Sequence, residues 1–76
     1  MNIERKKKGK KFMYIKNGNI IKDKKTIDRI LKLVIPPAWK DVVITSNVND
    51  KVQCIGVDDR GRKQYKYNIN FIEEQT

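Results

Sequence analysis

Histidine is absent from the 76 residues. That removes the His-based triad and the commonest side chain for general acid–base work near neutral pH. Cysteine occurs once, at Cys54, so no intrachain disulfide staples the fold and cysteine-rich zinc sites are excluded. No apolar run approaches the roughly 18 residues of a membrane span. The basic start, MNIERKKKGKK, is followed by no apolar stretch of the signal-peptide kind. The glycine spacing of a phosphate-binding P-loop is also missing. Acidic residues are scarce: 9 Asp and Glu stand against 18 Lys and Arg, a net charge of +9. A chain this short holds one domain and buries only roughly 60–65% of its unfolded surface. These absences describe a soluble, basic module of a reducing compartment, with no metal and no cofactor.

Hydrophobic residues make up 38% of the chain and charged ones 36%, enough apolar content for a small core and too much for a disordered tail. The charge is uneven. Residues 1–25 carry a net +8, residues 26–50 balance, and residues 51–76 carry a net +1. Arg5-Lys6-Lys7-Lys8 followed by Lys10-Lys11 repels itself, so residues 1–11 read as a flexible basic leader without fixed structure. Such a leader is either an arm that neutralises phosphates and releases counterions or a solubilising tail.

Beyond the leader the pattern is of short elements. Phe12 to Lys16 is strand-like, Asn17-Gly18 is a type I′ turn signal, and Asn19 to Lys22 returns. The two-residue turn pairs Lys16 with Asn19, Ile15 with Ile20 and Tyr14 with Ile21. Thr26 is the expected helix cap, with Asp28 in the first turn. Ile27, Ile30, Leu31 and Val34 form one helical stripe, with Arg29 and Lys32 on the wet face. Pro36-Pro37 forbids continuation. Trp39 reads as a plug at the sheet edge rather than a ligand contact. Val42 to Thr45, Val52 to Val57 and Lys63 to Asn68 read as strands. The turns between them are Ser46 to Asp50 and Asp58 to Gly61, and Gly56 marks a bulge or a close backbone approach. Residues 69–76 carry too little pattern to assign. There is no internal repeat. The expected fold is α+β: a small antiparallel sheet of about five strands with one or two short helices.

Few residues offer catalytic chemistry. Asp58 and Asp59 would point to opposite faces if extended, Glu73-Glu74 is a solvated acidic pair, and Cys54 is a buried structural thiol without a His partner. The last strand is the informative one. Arg62-Lys63-Gln64-Tyr65-Lys66-Tyr67 interleaves cations, an amide and aromatics. Gln can pair bidentately with adenine, Lys and Arg can bind guanine or phosphate, and Tyr combines a flat ring with a hydroxyl. Strand alternation sends Lys63, Tyr65 and Tyr67 to one face and Gln64, Lys66 and Asn68 to the other. Two readings stand: the tyrosines fill the core, or they face a nucleic acid.

The stretch VIPPAWKDVVITSNVNDKVQCIGVDDRGRKQYKYN resembles the N-terminal domain of the poxvirus-type and bacterial type IB DNA topoisomerases. The resemblance rests on Ile35 to Trp39, on Asp41 to Ile44, and on a signature at Gly56, Asp58, Gly61, Arg62, Gln64, Tyr65 and Tyr67. It covers about residues 12–70 and leaves the leader outside. It implies a clamp around duplex DNA, with this lobe on the major groove and Gln64, Tyr65 and Tyr67 touching DNA. Arg62 and Lys63 are then phosphate neighbours. It also implies that the catalytic residues, a Tyr nucleophile among them, lie in a separate lobe. That Tyr forms a transient 3′-phosphotyrosyl nick through which supercoils relax.

The expected organisation is a leader at 1–11, a DNA-clamping domain at 12–70 and the start of a linker at 71–76. No catalytic residue is expected in this chain, whose parent protein would be the isomerase. The expected partners are double-stranded DNA and the catalytic domain of the same polypeptide, with no membrane and a monomeric state. The Lys-, Ile- and Asn-rich usage suggests an AT-rich genome such as that of a large DNA virus. The expected location is then a viral factory or virion, or otherwise the bacterial cytoplasm. Two rivals remain: a free-standing RNA-binding module without activity, and a protein-interaction domain with a charged arm.

Overall fold

The computed structural model describes residues 1–68, and the expected linker start at 71–76 and the Glu73-Glu74 pair lie outside the described residues. Six strands form one sheet: β1 (Ile3–Lys8), β2 (Lys11–Lys16), β3 (Asn19–Ile20), β4 (Lys40–Ile44), β5 (Val52–Val57) and β6 (Lys63–Tyr67). The order across the sheet is β3-β2-β1-β4-β5-β6, with every pair antiparallel. The helix α1 (Lys24–Lys32) links β3 to β4 and lies on one face. The α+β class is as expected, with one strand more than the five read from the pattern.

That extra strand corrects the reading of residues 1–11 as a flexible leader. β1 lies inside the sheet, paired with β2 from Ile3↔Lys16 to Lys8↔Lys11 and with β4 at Ile3↔Ile44 and Glu4↔Val43. Ile3 is buried in the core. Repulsion between solvent-facing lysines is about 1 kcal/mol or less per close pair in water, too little to undo a strand hydrogen-bonded to neighbours and anchored by an apolar side chain. Gly9, at φ +60°, supplies the positive φ that a tight β1–β2 turn needs at its first central residue. β1 also joins the β2–β3 hairpin to the β4–β6 meander, which otherwise share no edge.

The β2–β3 hairpin follows its sequence. Asn17 and Gly18 both have positive φ, and the pairs Lys16↔Asn19 and Ile15↔Ile20 form as the two-residue turn dictates. The Ile21 N–H donates to the Tyr14 carbonyl at 2.7 Å.

The helix departs from expectation in three ways. Its cap is Asp23, not Thr26: the Asp23 carboxylate accepts from the Thr26 N–H and the Thr26 hydroxyl, which places Thr26 inside the first turn. Asp28 therefore falls beyond that turn. The stripe is also narrower. Ile30 is buried with Ile3, Val42, Ile44 and Cys54, and Leu33 packs on that cluster. Leu31 is 60% exposed, because one residue on from Ile30 it is turned about 100° away from the sheet, and Val34 is 73% exposed, because the helix ends at Lys32 and Val34 turns to φ +51°. Arg29 is not on the wet face. It donates to Gln53 Oε1 and to the Thr45 carbonyl, tying α1 to β5 and to the end of β4.

Trp39 packs against the core on the helix side, over Gly56 of the interior strand β5 and not at the sheet edge where it was expected. A Cβ on Gly56 would stand 2.7 Å from Trp39 Cε3 and 3.2 Å from Val42 Cγ2, so Gly56 is the close approach that the sequence suggested. Arg5, on the same side of the sheet, holds the Ile35-to-Trp39 segment. Its guanidinium donates to the Pro36 carbonyl at 3.0 Å and the Trp39 carbonyl at 2.9 Å, and lies 4.1 Å from the Phe12 ring centre.

Candidate nucleic-acid interface

In an antiparallel ladder, residues directly opposite one another share a face. The pairs Arg5↔Tyr14, Ile3↔Ile44, Cys54↔Lys66 and Gly56↔Gln64 define the helix side. Glu4↔Ile15, Glu4↔Val43, Val43↔Ile55 and Ile55↔Tyr65 define the other. The helix does not lie on this second face, where Glu4, Ile20 and Tyr65 are exposed and Ile15, Val43 and Ile55 half-buried. Across its middle runs a row of Ile20, Ile15, Glu4, Val43, Ile55 and Tyr65.

β6 is the edge strand at one end of that face. Tyr65 is 42% and Tyr67 45% exposed, their ring centres 6.3 Å apart and stacked. Lys63 Nζ lies 5.9 Å from the Tyr65 ring centre. The core-filling reading of the two tyrosines therefore fails: neither is buried, and the helix lies on the opposite side. Lys63, Tyr65 and Tyr67 form one aromatic and cationic patch on bare sheet.

Gln64 and Arg62 are placed differently. Asp58 follows β5 and organises the turn into β6. Its Oδ1 accepts the Arg60 and Arg62 backbone N–H groups, both at 2.9 Å. Its Oδ2 accepts Arg62 Nε and Gln64 Nε2, both at 3.0 Å. The Arg62 backbone N–H and the Gln64 amide, with those further donors, hold the Asp58 carboxyl down at about 2. Gly61, at φ +78°, completes the turn. Of the seven signature positions, Asp58, Gly61, Arg62 and Gln64 thus build the corner, Gly56 makes room for Trp39, and Tyr65 and Tyr67 project from β6. Gln64 is on the helix side with one amide hydrogen engaged by Asp58, so the structure does not bring it into the tyrosine patch. Arg62 keeps most of its side chain in water beyond the Asp58 contact.

The sequence places Asp58 in a turn and in the signature, but its part as the hub of that turn is not read from it. The available signal was its spacing, since an Asp followed at two, four and six residues by Arg60, Arg62 and Gln64 suits a side chain capping its own hairpin turn. Burial pushes the Cys54 thiol up to about 11, consistent with a structural role. No group of three His, Cys, Asp or Glu among the described residues could hold a metal ion. No helix among them is long and apolar enough to cross a membrane.

Comparison with known proteins accounts for this architecture. Residues 11–58 match the family described as bacterial DNA topoisomerase IB, N-terminal domain. The chain is 48% identical over 72 residues to a DNA topoisomerase 1B of Acanthamoeba polyphaga mimivirus, a match covering 93% of this chain and 21% of that protein. The chain thus spans about a fifth of the length of that relative, and the match takes in most of residues 1–11 as well. The corner at Asp58, the Pro36-Pro37 segment locked by Arg5 and Trp39, and these matches lead to one conclusion: the chain belongs to the family of N-terminal domains of type IB DNA topoisomerases.

Proposed function

We propose that this domain clamps duplex DNA from the major-groove side with the bare face of its sheet, and that it does so without catalytic residues of its own. The observation that carries the reading is the exposure of Tyr65 and Tyr67, stacked beside Lys63 on uncovered sheet. An exposed aromatic pair suits a partner surface, and a β-sheet edge can enter the roughly 12 Å major groove. The tyrosine rings meet apolar base edges such as the thymine methyl, their hydroxyls reach phosphate, and Lys63 neutralises phosphate. Arg62, at the turn into the edge strand, and Gln64, on that strand, reach DNA from its rim when the edge leads into the groove. The strand-cleaving Tyr belongs to a catalytic domain of the same polypeptide, where the 3′-phosphotyrosyl nick forms and supercoils relax.

The test is binding of a 20-base-pair DNA duplex to the chain by fluorescence anisotropy, with single-stranded and hairpin RNA as competitors. Tyr65→Ala with Tyr67→Ala should weaken duplex binding roughly tenfold or more at unchanged thermal stability. Gln64→Ala should cost about 1–3 kcal/mol of discrimination at one base pair, whereas Arg62→Ala should weaken all sequences alike. Preference for RNA over duplex DNA would instead favour a free-standing RNA-binding module. Affinity indifferent to both tyrosines would remove the sheet face from the reading.

A further inference from the structure

We infer that the β1–β2 hairpin is a second phosphate grip on the same sheet face as the tyrosine patch, with Lys6, Lys8 and Lys11 as its contacts. The inference rests on the reading of that face as a DNA surface and goes beyond it in assigning a role to the basic start of the chain. Register sorts the cations there into two sets. Glu4, Lys6 and Lys8 alternate onto the bare face, and Lys11, directly opposite Lys8, joins them. Arg5 and Lys7 point to the helix side, where Arg5 is engaged by the Ile35-to-Trp39 segment. Only half of the six-cation run is therefore aimed at the bare face by the strands, with Lys10 in the turn.

Two features separate this set from a solvated tail. The lysines stand on paired strands, so their backbone is ordered before any partner arrives and binding need not bear that entropy. They also lie at a useful distance from β6. β1 and β6 are three inter-strand steps apart, about 14 Å at ordinary spacing, with the half-buried Val43 and Ile55 between them. That separation is close to the width of a major groove. Lysines on the hairpin and Lys63 on β6 can then contact phosphates on opposite sides of one groove, with the tyrosines inside it. Glu4 lies on the same face and sits 3.8 Å from Lys6, which offsets part of that lysine's charge. Among the described residues no carboxylate pairs with Lys8 or Lys11, the two at the distal end.

The experiment compares two charge-matched triple variants, Lys6→Gln/Lys8→Gln/Lys11→Gln and Lys24→Gln/Lys25→Gln/Lys32→Gln. The second removes the same charge from the exposed surface of α1, and circular dichroism melts verify that both remain folded. Binding to a fluorescein-labelled 20-base-pair duplex is followed as salt is raised. Each phosphate that is no longer neutralised should reduce the log–log salt slope by about 0.9, so the hairpin triple should flatten it by about 2–3 and the helix triple by far less. Lys8→Glu alone repeats the test with one substitution and should weaken binding several-fold. Equal effects of the two triples would overturn the inference, because charge and not position would then matter. If the hairpin triple leaves the slope intact while the double tyrosine variant loses affinity, the hairpin grip falls and the proposed function stands. If the chain binds no duplex at low salt, both fall. A flattened slope with tyrosine variants that bind normally supports the hairpin grip and removes the tyrosine patch.

Discussion

Asp58 shows how much of a recognisable motif can be scaffold. One carboxylate accepts two backbone N–H groups, one guanidinium N–H and one amide N–H from the few residues that follow it. Those donors favour the ionised form and lower its pKa from 3.8 to about 2. A depressed carboxyl stabilises the fold above the unfolded pKa and loses that contribution as pH falls through the folded one. The melting temperature of wild type should therefore exceed that of Asp58→Asn by a constant margin above about pH 5. The margin should close between about pH 4 and 2. Thermal melts over that range check it, and a margin unchanged at pH 2 would rule out the carboxylate as its source. The effect on DNA should be indirect, through the aim of Tyr65 and Tyr67, so affinity should fall along with the order of the turn.

At the level of elements, neighbouring apolar residues of one helix have opposite fates. Ile30 and Leu31 are adjacent and belong to one apparent stripe, yet Ile30 is 1% and Leu31 60% exposed. Ile30→Ala should cost about 2–4 kcal/mol and Leu31→Ala within about 0.5 kcal/mol, measured by denaturant unfolding. The Ile35-to-Trp39 segment has its own test. Pro36 and Pro37 stop the helix and the chain turns at Pro37-Ala38, with the segment's carbonyls held by Arg5 from another strand. Arg5→Met keeps much of the apolar stem over Phe12 and removes the donors. It should cost about 2 kcal/mol and speed hydrogen exchange at the Trp39 N–H, which donates to the Pro36 carbonyl. Exchange as slow as in wild type would show that the prolines and Trp39 packing suffice.

For the whole molecule the decisive element is β1, the strand that joins the two halves of the sheet. Deleting residues 1–8 removes Ile3 from the core and Arg5 from the Trp39 segment, and separates the β2–β3 hairpin from the β4–β6 meander. The truncated chain should lose its cooperative thermal transition, and its near-ultraviolet Trp39 signal should collapse. A truncated chain that melts as wild type does would show that β1 is dispensable. It follows that any role of the basic residues in binding must be read from substitutions and not from truncation.

The sequence alone carried whatever depends on near neighbours. Asn17-Gly18 set a hairpin and its register, because two positive φ angles in succession admit few residues and one geometry. Val52 to Val57 and Lys63 to Tyr67 were legible from β-branched and alternating composition, and Gly56 announced a close approach. The family signature was legible too, as was the alternation that divides Gln64 from Tyr65. Tertiary structure decided everything that depends on distant partners. Residues 3–8 look like a repelling tail until β2 and β4 bracket them, since the hydrogen bonds and the Ile3 contacts that outweigh the repulsion come from residues 11–16 and 43–44. Arg29 looks solvated until Gln53 and Thr45 arrive beneath it. The tyrosines' face was open in the sequence because alternation tells which residues share a side and not which side the helix covers. That choice belongs to the packing of Ile30 against Ile3, Ile44 and Cys54, and it leaves Tyr65 and Tyr67 in water.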